Sequence, residues 1–301
     1  MLPSERLKGI DAFVAAADLG SFTAAAKHLN FTVSAISKSV ARLEERLNSR
    51  LFERTTRSLR LTDAGAEFYT TCVRVLGDLA DAETALAAHG SEPVGRIKVD
   101  MPVTFGRRRV MPILLRFLEA HPGLRPHLTF TDRKIDIIEE GVDVAVRIGA
   151  SQILADGLAS RHIGTERIIF CAAPAFLDRH GMPADIERLM LLPGIPYGRS
   201  DGSISPWKFA GPGGTELRAA PARMVLGSAE AQVEAVKAGF GAAQLATWLV
   251  TDELQSGQLV QVLPDQATEG LPLHLVWPKL GQLSLKIDAA LAVLSNELRI
   301  D

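Results

Sequence analysis

Ser34, Ser37, Lys38 and Arg42 recur at steps of three and four residues, so a helix would carry them on one face. Ile36, Val40, Leu43 and Leu47 form the opposite, apolar face. Hydroxyls can bond several base edges, and a lysine reaches guanine O6/N7 or a phosphate. A recognition helix reads bases from its N-terminal half, here Thr32, Val33, Ser34, Ser37 and Lys38. Arg42 can touch a phosphate; solvation or pairing with Glu45 is the equal alternative. Charge patterning points the same way. Residues 1–66 hold ten Lys/Arg and seven Asp/Glu, a net of +3 in a chain of net −2, which leaves −5 elsewhere. Between Lys38 and Arg60 there are seven bases and three acids. A local basic patch on a mildly acidic chain fits a small nucleic-acid-binding module joined to something else; a solvated helix face is the alternative.

Other chemistry finds little support. Two cysteines, Cys72 and Cys171, stand far apart, and the seven histidines lack ligand spacing. No disulfide framework, metal site or cofactor is expected, and Cys171 reads as an inert core residue. No GxSxG elbow occurs, and Gly211-Pro-Gly-Gly214 lacks the Lys and Ser/Thr of a phosphate loop, so it reads as a surface turn. No catalytic residues are assigned. MLPSERLKGIDAF has no basic stretch followed by an apolar core, and no apolar run is long enough to span a bilayer. A reducing cytoplasm is the expected compartment, without a membrane partner.

The elements that position the polar face follow from periodicity. Leu7, Ile10, Phe13, Val14 and Ala17 predict a first helix ended by Gly20. Ser21 caps a second, Phe22 to Leu29, whose Ala24-Ala25-Ala26 permits close helix packing. Asn30 allows a left-handed stop, and Thr32 caps the third helix. Leu51-Phe52 and Leu59-Arg60-Leu61 flank a polar segment and read as a two-stranded wing, with Arg54 and Arg57 placed to meet phosphates. Thr62-Asp63 begins a long helix to about His89. Tyr69, Cys72, Leu76, Leu79 and Leu86 form a short heptad seam there, read as a dimer contact; packing on its own domain is the alternative.

After Gly90-Ser-Glu-Pro93 strands and helices alternate, which argues for parallel sheets in two lobes. Ile97–Val103 and Asp143–Ile148 read as strands, Gly106–Ala120 and Lys134–Glu140 as helices, and Arg223–Leu226 as a further strand. Three segments together resemble the N-terminal domain of LysR-type transcriptional regulators. They are Ser21-Phe-Thr-Ala-Ala-Ala-Lys-His-Leu, Ser34-Ala-Ile-Ser-Lys-Ser-Val-Ala-Arg-Leu-Glu-Glu-Arg-Leu, and Leu51-Phe-Glu-Arg-Thr-Thr-Arg-Ser-Leu-Arg-Leu-Thr-Asp-Ala-Gly65. Pro102-Val-Thr-Phe-Gly, Asp136 to Gly149 and Ala238 to Leu245 resemble segments of that family's effector domain. The resemblance covers nearly the whole chain. It implies a multidomain α + α/β fold: a winged helix-turn-helix (1–62), a linker or dimerisation helix (63–92), and a two-lobed α/β effector domain (93–301) like type 2 periplasmic binding proteins. Lobe I would span about 93–165 and 266–301, lobe II about 166–265. Val33 departs from the polar residue common in the family and can offer only apolar contact, for example to a thymine methyl. Family members are typically tetramers assembled from dimers, so self-association is expected.

Open α/β sheets bind ligands at the carboxyl ends of strands. Thr104 follows the first effector-domain strand, and Ser228 precedes the helix from Ala229, so the two read as facing contacts on opposite lobes. Thr131, Arg147, Ile148 and Tyr197 complete the candidate set, and family pockets draw on these regions. Each also has a plain alternative as a cap or turn, and Arg147 as half of an ion pair. Helix starts favour a small carboxylate-bearing effector, although a neutral polar ligand suits the same geometry. Arg107-Arg108-Arg109 reads as an exposed basic turn, with a ligand entrance or an oligomer surface as alternatives. The expected function is a regulator that binds double-stranded promoter DNA and responds to a small molecule. An enzyme on a bilobal scaffold, or an architectural DNA-binding protein without ligand, are the competing readings.

Overall fold

The computed structural model describes residues 7–54, 59–87, 92–149, 156–199, 201–279 and 283–300. Two compact units divide the chain, Met1–Arg96 and Ile97–Asp301.

In the first unit, α1 (Ile10–Leu19), α2 (Phe22–His28) and α3 (Val33–Leu47) precede the antiparallel pair β1 (Phe52–Arg54) and β2 (Leu59–Leu61), then α4 (Asp63–Ala87). Side-chain caps set the boundaries. Ser21 Oγ accepts the Ala24 N–H at 3.3 Å, and Thr32 Oγ1 accepts the Ala35 N–H at 3.2 Å. Asn48 ends α3 with φ 48°. Thr62 Oγ1 accepts the Gly65 N–H at 2.9 Å, capping α4. At Gly65 a Cβ would stand 2.1 Å from the Leu51 carbonyl oxygen, so only glycine lets α4 start against the wing. Glu44 Oε1 accepts the N–H groups of Leu51 (2.8 Å) and Phe52 (3.1 Å), tying β1 to α3. Phe13 centres the core, with ring centroids 5.3 Å from Phe52 and 5.6 Å from Phe68.

Tyr69, Cys72 and Leu76 face this same core: Cys72 is buried, and the other two pack against the cluster. Tyr69 also donates its hydroxyl to Asp18 on α1. These three seam positions therefore bind α4 to its own domain, the alternative reading of the seam. A three-four spacing shows that a face is covered, not by which neighbour. Leu79 is 47% exposed. The side chains of Leu86 and Arg54, and Arg57 entirely, lie outside the described residues.

In the second unit, β3 (Gly95–Met101) leads through an α-turn (Val103–Phe105) and a π-helical turn (Gly106–Val110) into α5 (Met111–Ala120). Then come β4 (Leu124–Phe130), β5 (Val144–Ile148), the long β6 (Leu158–Ala172), α6 (Pro174–His180), α7 (Ile186–Met190) and the hairpin β7 (Trp207–Gly211) with β8 (Gly214–Arg218). The chain continues through α8 (Ala229–Lys237), β9 (Ala243–Ala246), α9 (Thr247–Gln255), β10 (Val260–Val262), β11 (Thr268–Pro278) and α10 (Leu285–Glu297).

One sheet ordered β10-β6-β11-β5-β3-β4, with β9 also on β6, unites the strands apart from the β7–β8 hairpin. β3 and β5 pair in parallel; β11 runs antiparallel to both β5 and β6, as do β9 and β10 to β6. The expected pair of parallel sheets is thus corrected to a mixed sheet, with β6 and β11 running through both lobes. One continuous core cluster spans from Ile97 to Phe209 and Leu294.

Two expected elements are absent as such. The Lys134–Glu140 segment holds only a single turn: Asp136 caps it, its Oδ1 taking the N–H groups of Ile138 and Glu139, both at 2.9 Å, and Gly141 with φ 62° ends it. Its alternate residues Ile135 and Ile137 face inward. Arg223–Leu226 contributes no strand but only a bridge, Tyr197 to Leu226, beside prolines that lack the N–H a ladder needs. Gly211 and Gly214 pair across a two-residue hairpin turn, the surface turn expected there.

Candidate nucleic-acid interface and effector cleft

α3 turns Ile36, Val40 and Leu43 into the core and leaves Thr32, Val33, Ser34, Lys38 and Arg42 exposed. Ser37 is half-buried at the edge of that face. Val33 is 44% exposed and, with the still more exposed Phe31, puts an apolar spot at the start of the polar face. Thr32 has a structural task too, since its hydroxyl caps the helix. Arg46 donates to the Lys8 carbonyl at 3.3 Å, and so serves the domain. A concavity of about 1090 Å³ lies beside this face, lined by Leu7, Phe31, Lys38, Arg42, Leu76 and Leu79 among others.

In the second unit, Arg107 on the π-helical turn forms an ion pair with Glu230 in the first turn of α8. Thr104 lies one turn before Arg107 and Ser228 two residues before Glu230, so this pair links the two segments that carry the expected polar positions. Ser228 Oγ accepts the Ala231 N–H at 3.3 Å, and so spends part of its capacity as a cap. Thr131 Oγ1 accepts the Arg133 N–H at 3.2 Å within its own turn. Asp132 Oδ1 accepts the Val103 N–H at 3.0 Å. Tyr197 is 36% exposed; its partial burial raises its phenol above the ordinary range, the nearby Asp132 carboxylate raises it further, and Arg199 opposes both. Ile148 is half-buried against the main core.

Arg147 has a different place. It is buried, with Nη2 2.6 Å from Asp100 Oδ1 and Nη1 donating to the Val146 carbonyl at 2.8 Å. That guanidinium is committed to the sheet, so its reading as an effector contact is corrected to a structural ion pair. In the arginine triplet Arg107 and Arg108 are exposed, as expected of a basic turn, but the turn is also anchored: Arg108 donates to the Leu249 carbonyl at 2.6 Å and Arg109 to the Trp248 carbonyl at 3.0 Å. Asp132 and Glu230 were not singled out from sequence, and Arg107 only as part of the basic triplet. Their nearest signal was adjacency to Thr131, Thr104 and Ser228. Among the described residues no cluster of three or more His, Cys, Asp or Glu suits a metal ion.

The chain matches two family models: a bacterial regulatory helix-turn-helix of the lysR family over residues 7–66, and the LysR substrate binding domain over residues 90–299. It is 31% identical to the transcriptional activator AaeR of Escherichia coli K12 over 296 residues, 97% of this chain and 94% of that one. The structure of CrgA, a LysR-type regulator from Neisseria meningitidis, is 30% identical with TM-score 0.61, covering 99% of both chains. The full-length regulator LysG of Corynebacterium glutamicum, solved with bound effector Arg, shares the fold at 21% identity and TM-score 0.60, covering 99% of this chain and all of that one. A winged helix-turn-helix, a long following helix and a two-lobed effector-binding unit, matched over almost every residue, make this chain a member of the LysR-type transcriptional regulators.

Proposed function

We propose that the protein reads promoter DNA with α3 and the wing, and that a small molecule bound between its C-terminal lobes changes those contacts. The supporting observation is the division of α3 into a buried apolar face and an exposed face of Thr32, Val33, Ser34, Ser37, Lys38 and Arg42. Ser34, Ser37 and Lys38 supply base contacts, Val33 an apolar contact, and Arg42, Arg54 and Arg57 phosphate contacts. The domain limits are 1–62, 63–92 and 93–301, with lobe I at about 93–165 and 266–301 and lobe II at about 166–265. The protein works in the cytoplasm as a dimer or tetramer and catalyses no reaction.

Thr104, Thr131, Tyr197 and Ser228 contact the effector in the cleft, with Ile148 at its floor. Arg107 gives the cleft a cation for a carboxylate-bearing ligand, which favours that class over a neutral one. A ligand shifts such a regulator only through different affinity for its two arrangements. Fragments recovered by genomic footprinting provide the operator. Ser34→Glu or Ser37→Glu should abolish binding to it in a mobility-shift assay while circular dichroism and sedimentation stay normal. Unchanged affinity in both variants rejects the assignment of α3.

A further inference from the structure

The three successive arginines of the π-helical turn make contacts of two kinds. Gly106 sets the turn close against the sheet: a Cβ there would stand 2.3 Å from Met101 Cγ. From this position Arg108 and Arg109 reach the Leu249 and Trp248 carbonyls of α9, and Arg109 also reaches Thr251 Oγ1 at 3.3 Å. The Phe105 ring stands edge-on to Trp248 beside them. Both rings are buried, and these contacts fix the turn to α9.

Arg107 is different. Its side chain is 55% exposed and that of its partner Glu230 33% exposed. Exposed ion pairs of this kind bias an equilibrium by only about two- to fivefold, so an incoming anion can compete with Glu230. A released Glu230 would still lie in the first turn of α8, where the helix dipole favours a carboxylate. The exchange therefore leaves no charge stranded.

We propose that the Arg107–Glu230 pair is a displaceable latch across the effector cleft, in which Glu230 occupies Arg107 until an anionic group of the effector replaces it. The proposal rests on the cleft reading above. The contacts of Phe105, Arg108 and Arg109 form the fixed side, and the latch is the exchangeable one. Glu230 is then an internal competitor that sets how much effector is needed.

The latch can be tested without effector or DNA. Spin labels at Leu115→Cys and Leu191→Cys, both exposed positions on α5 and just after α7, report the distance between the lobes. Native Cys72 and Cys171 are buried and remain unlabelled. Labelled full-length protein is diluted in unlabelled protein so that only distances within one chain are read. Arg107→Gln and Glu230→Gln should each broaden the distribution, and the swap Arg107→Glu with Glu230→Arg should restore it. Unchanged distributions in the folded single variants, or a swap that restores nothing, overturn the latch.

Competition is read with sodium benzoate against equal sodium chloride. Glu230→Gln should show a two- to fivefold tighter benzoate-dependent rise in thermal midpoint than the parent, lost when Arg107→Gln is added. An equal response in all three proteins overturns the competitor role. Failure of these tests leaves the cleft itself standing; the cleft falls separately if Thr104→Val and Ser228→Ala leave the effector response unaltered.

Discussion

Trp248 donates its indole N–H to Glu166 Oε1 at 2.9 Å while its ring meets Phe105 edge-on, 4.9 Å between centroids and 87° between planes. Glu166 lies on β6, Phe105 on the turn after β3, and Trp248 at the start of α9, so one side chain joins elements from both lobes. Glu166 Oε2 also accepts the Leu271 N–H at 3.1 Å. Burial pushes this carboxyl up, and the Trp248 and Leu271 donors pull against that rise.

Removing the indole donor while keeping an aromatic ring separates the hydrogen bond from the packing. Trp248→Phe should destabilise the second unit by about 1–3 kcal/mol, because a buried carboxylate loses a donor. Calorimetry of the full chain, resolving the transition of this unit, reads the loss. A change below about 0.5 kcal/mol would assign the role of Trp248 to ring contact alone.

His274 on β11 lies opposite His162 on β6 and Arg147 on β5. The two imidazole centroids are 5.1 Å apart. Burial lowers the pKa of His274, the His162 charge lowers it further, and the Pro272 carbonyl partly opposes both. The unfolded chain therefore binds the proton more readily than the folded one. Stability should fall as pH drops through the ordinary imidazole range near 6.5, and level off below the depressed folded value. His274→Gln should flatten that part of the pH profile. Urea midpoints between pH 5 and 8 check it, and an identical slope in the variant would place the titrating group elsewhere.

The Asp100–Arg147 pair is buried, and Thr129 also donates to Asp100. Breaking one partner strands the other charge, so Asp100→Leu or Arg147→Met should each cost about 3–5 kcal/mol. The double variant Asp100→Leu with Arg147→Met should recover a large part of that loss, since well-packed apolar replacements of buried pairs are often neutral. Chemical unfolding of the four proteins closes the cycle. Equal losses in the single and double variants would mean that packing, not charge, is at stake.

Local signals were legible in the residues themselves. Ser21 and Thr32 cap helices as their types suggest, and Ile36, Val40 and Leu43 form the buried face. Contacts made at long sequence separation were not legible. Nothing near Arg108 announces that Leu249, 141 residues on, accepts its proton. The Lys134–Glu140 segment misled because its helical pattern lasts a single turn, between the Asp136 cap and the left-handed Gly141. Thr104 and Ser228 were found from strand-to-helix transitions, whereas the pairing of Arg107 with Glu230, 123 residues on, required the fold.

The two faces of α4 make different predictions for two leucines three residues apart. Leu76 packs on the core of the first unit, while Leu79 is exposed beside the same concavity. A charge at Leu76 must be buried unpaired or must pull α4 from its core, so Leu76→Asp should destabilise the domain by about 2–4 kcal/mol and weaken association with it. Leu79→Asp puts its charge in water and should change monomer stability by less than about 0.5 kcal/mol. If Leu79 is covered by a second copy, that same change buries a carboxylate in the interface and should shift the monomer–dimer equilibrium at least tenfold. Sedimentation velocity over a concentration series, with circular dichroism to confirm folding, distinguishes the two effects. A folded Leu79→Asp variant that associates like the parent would move the dimer contact away from this face of α4.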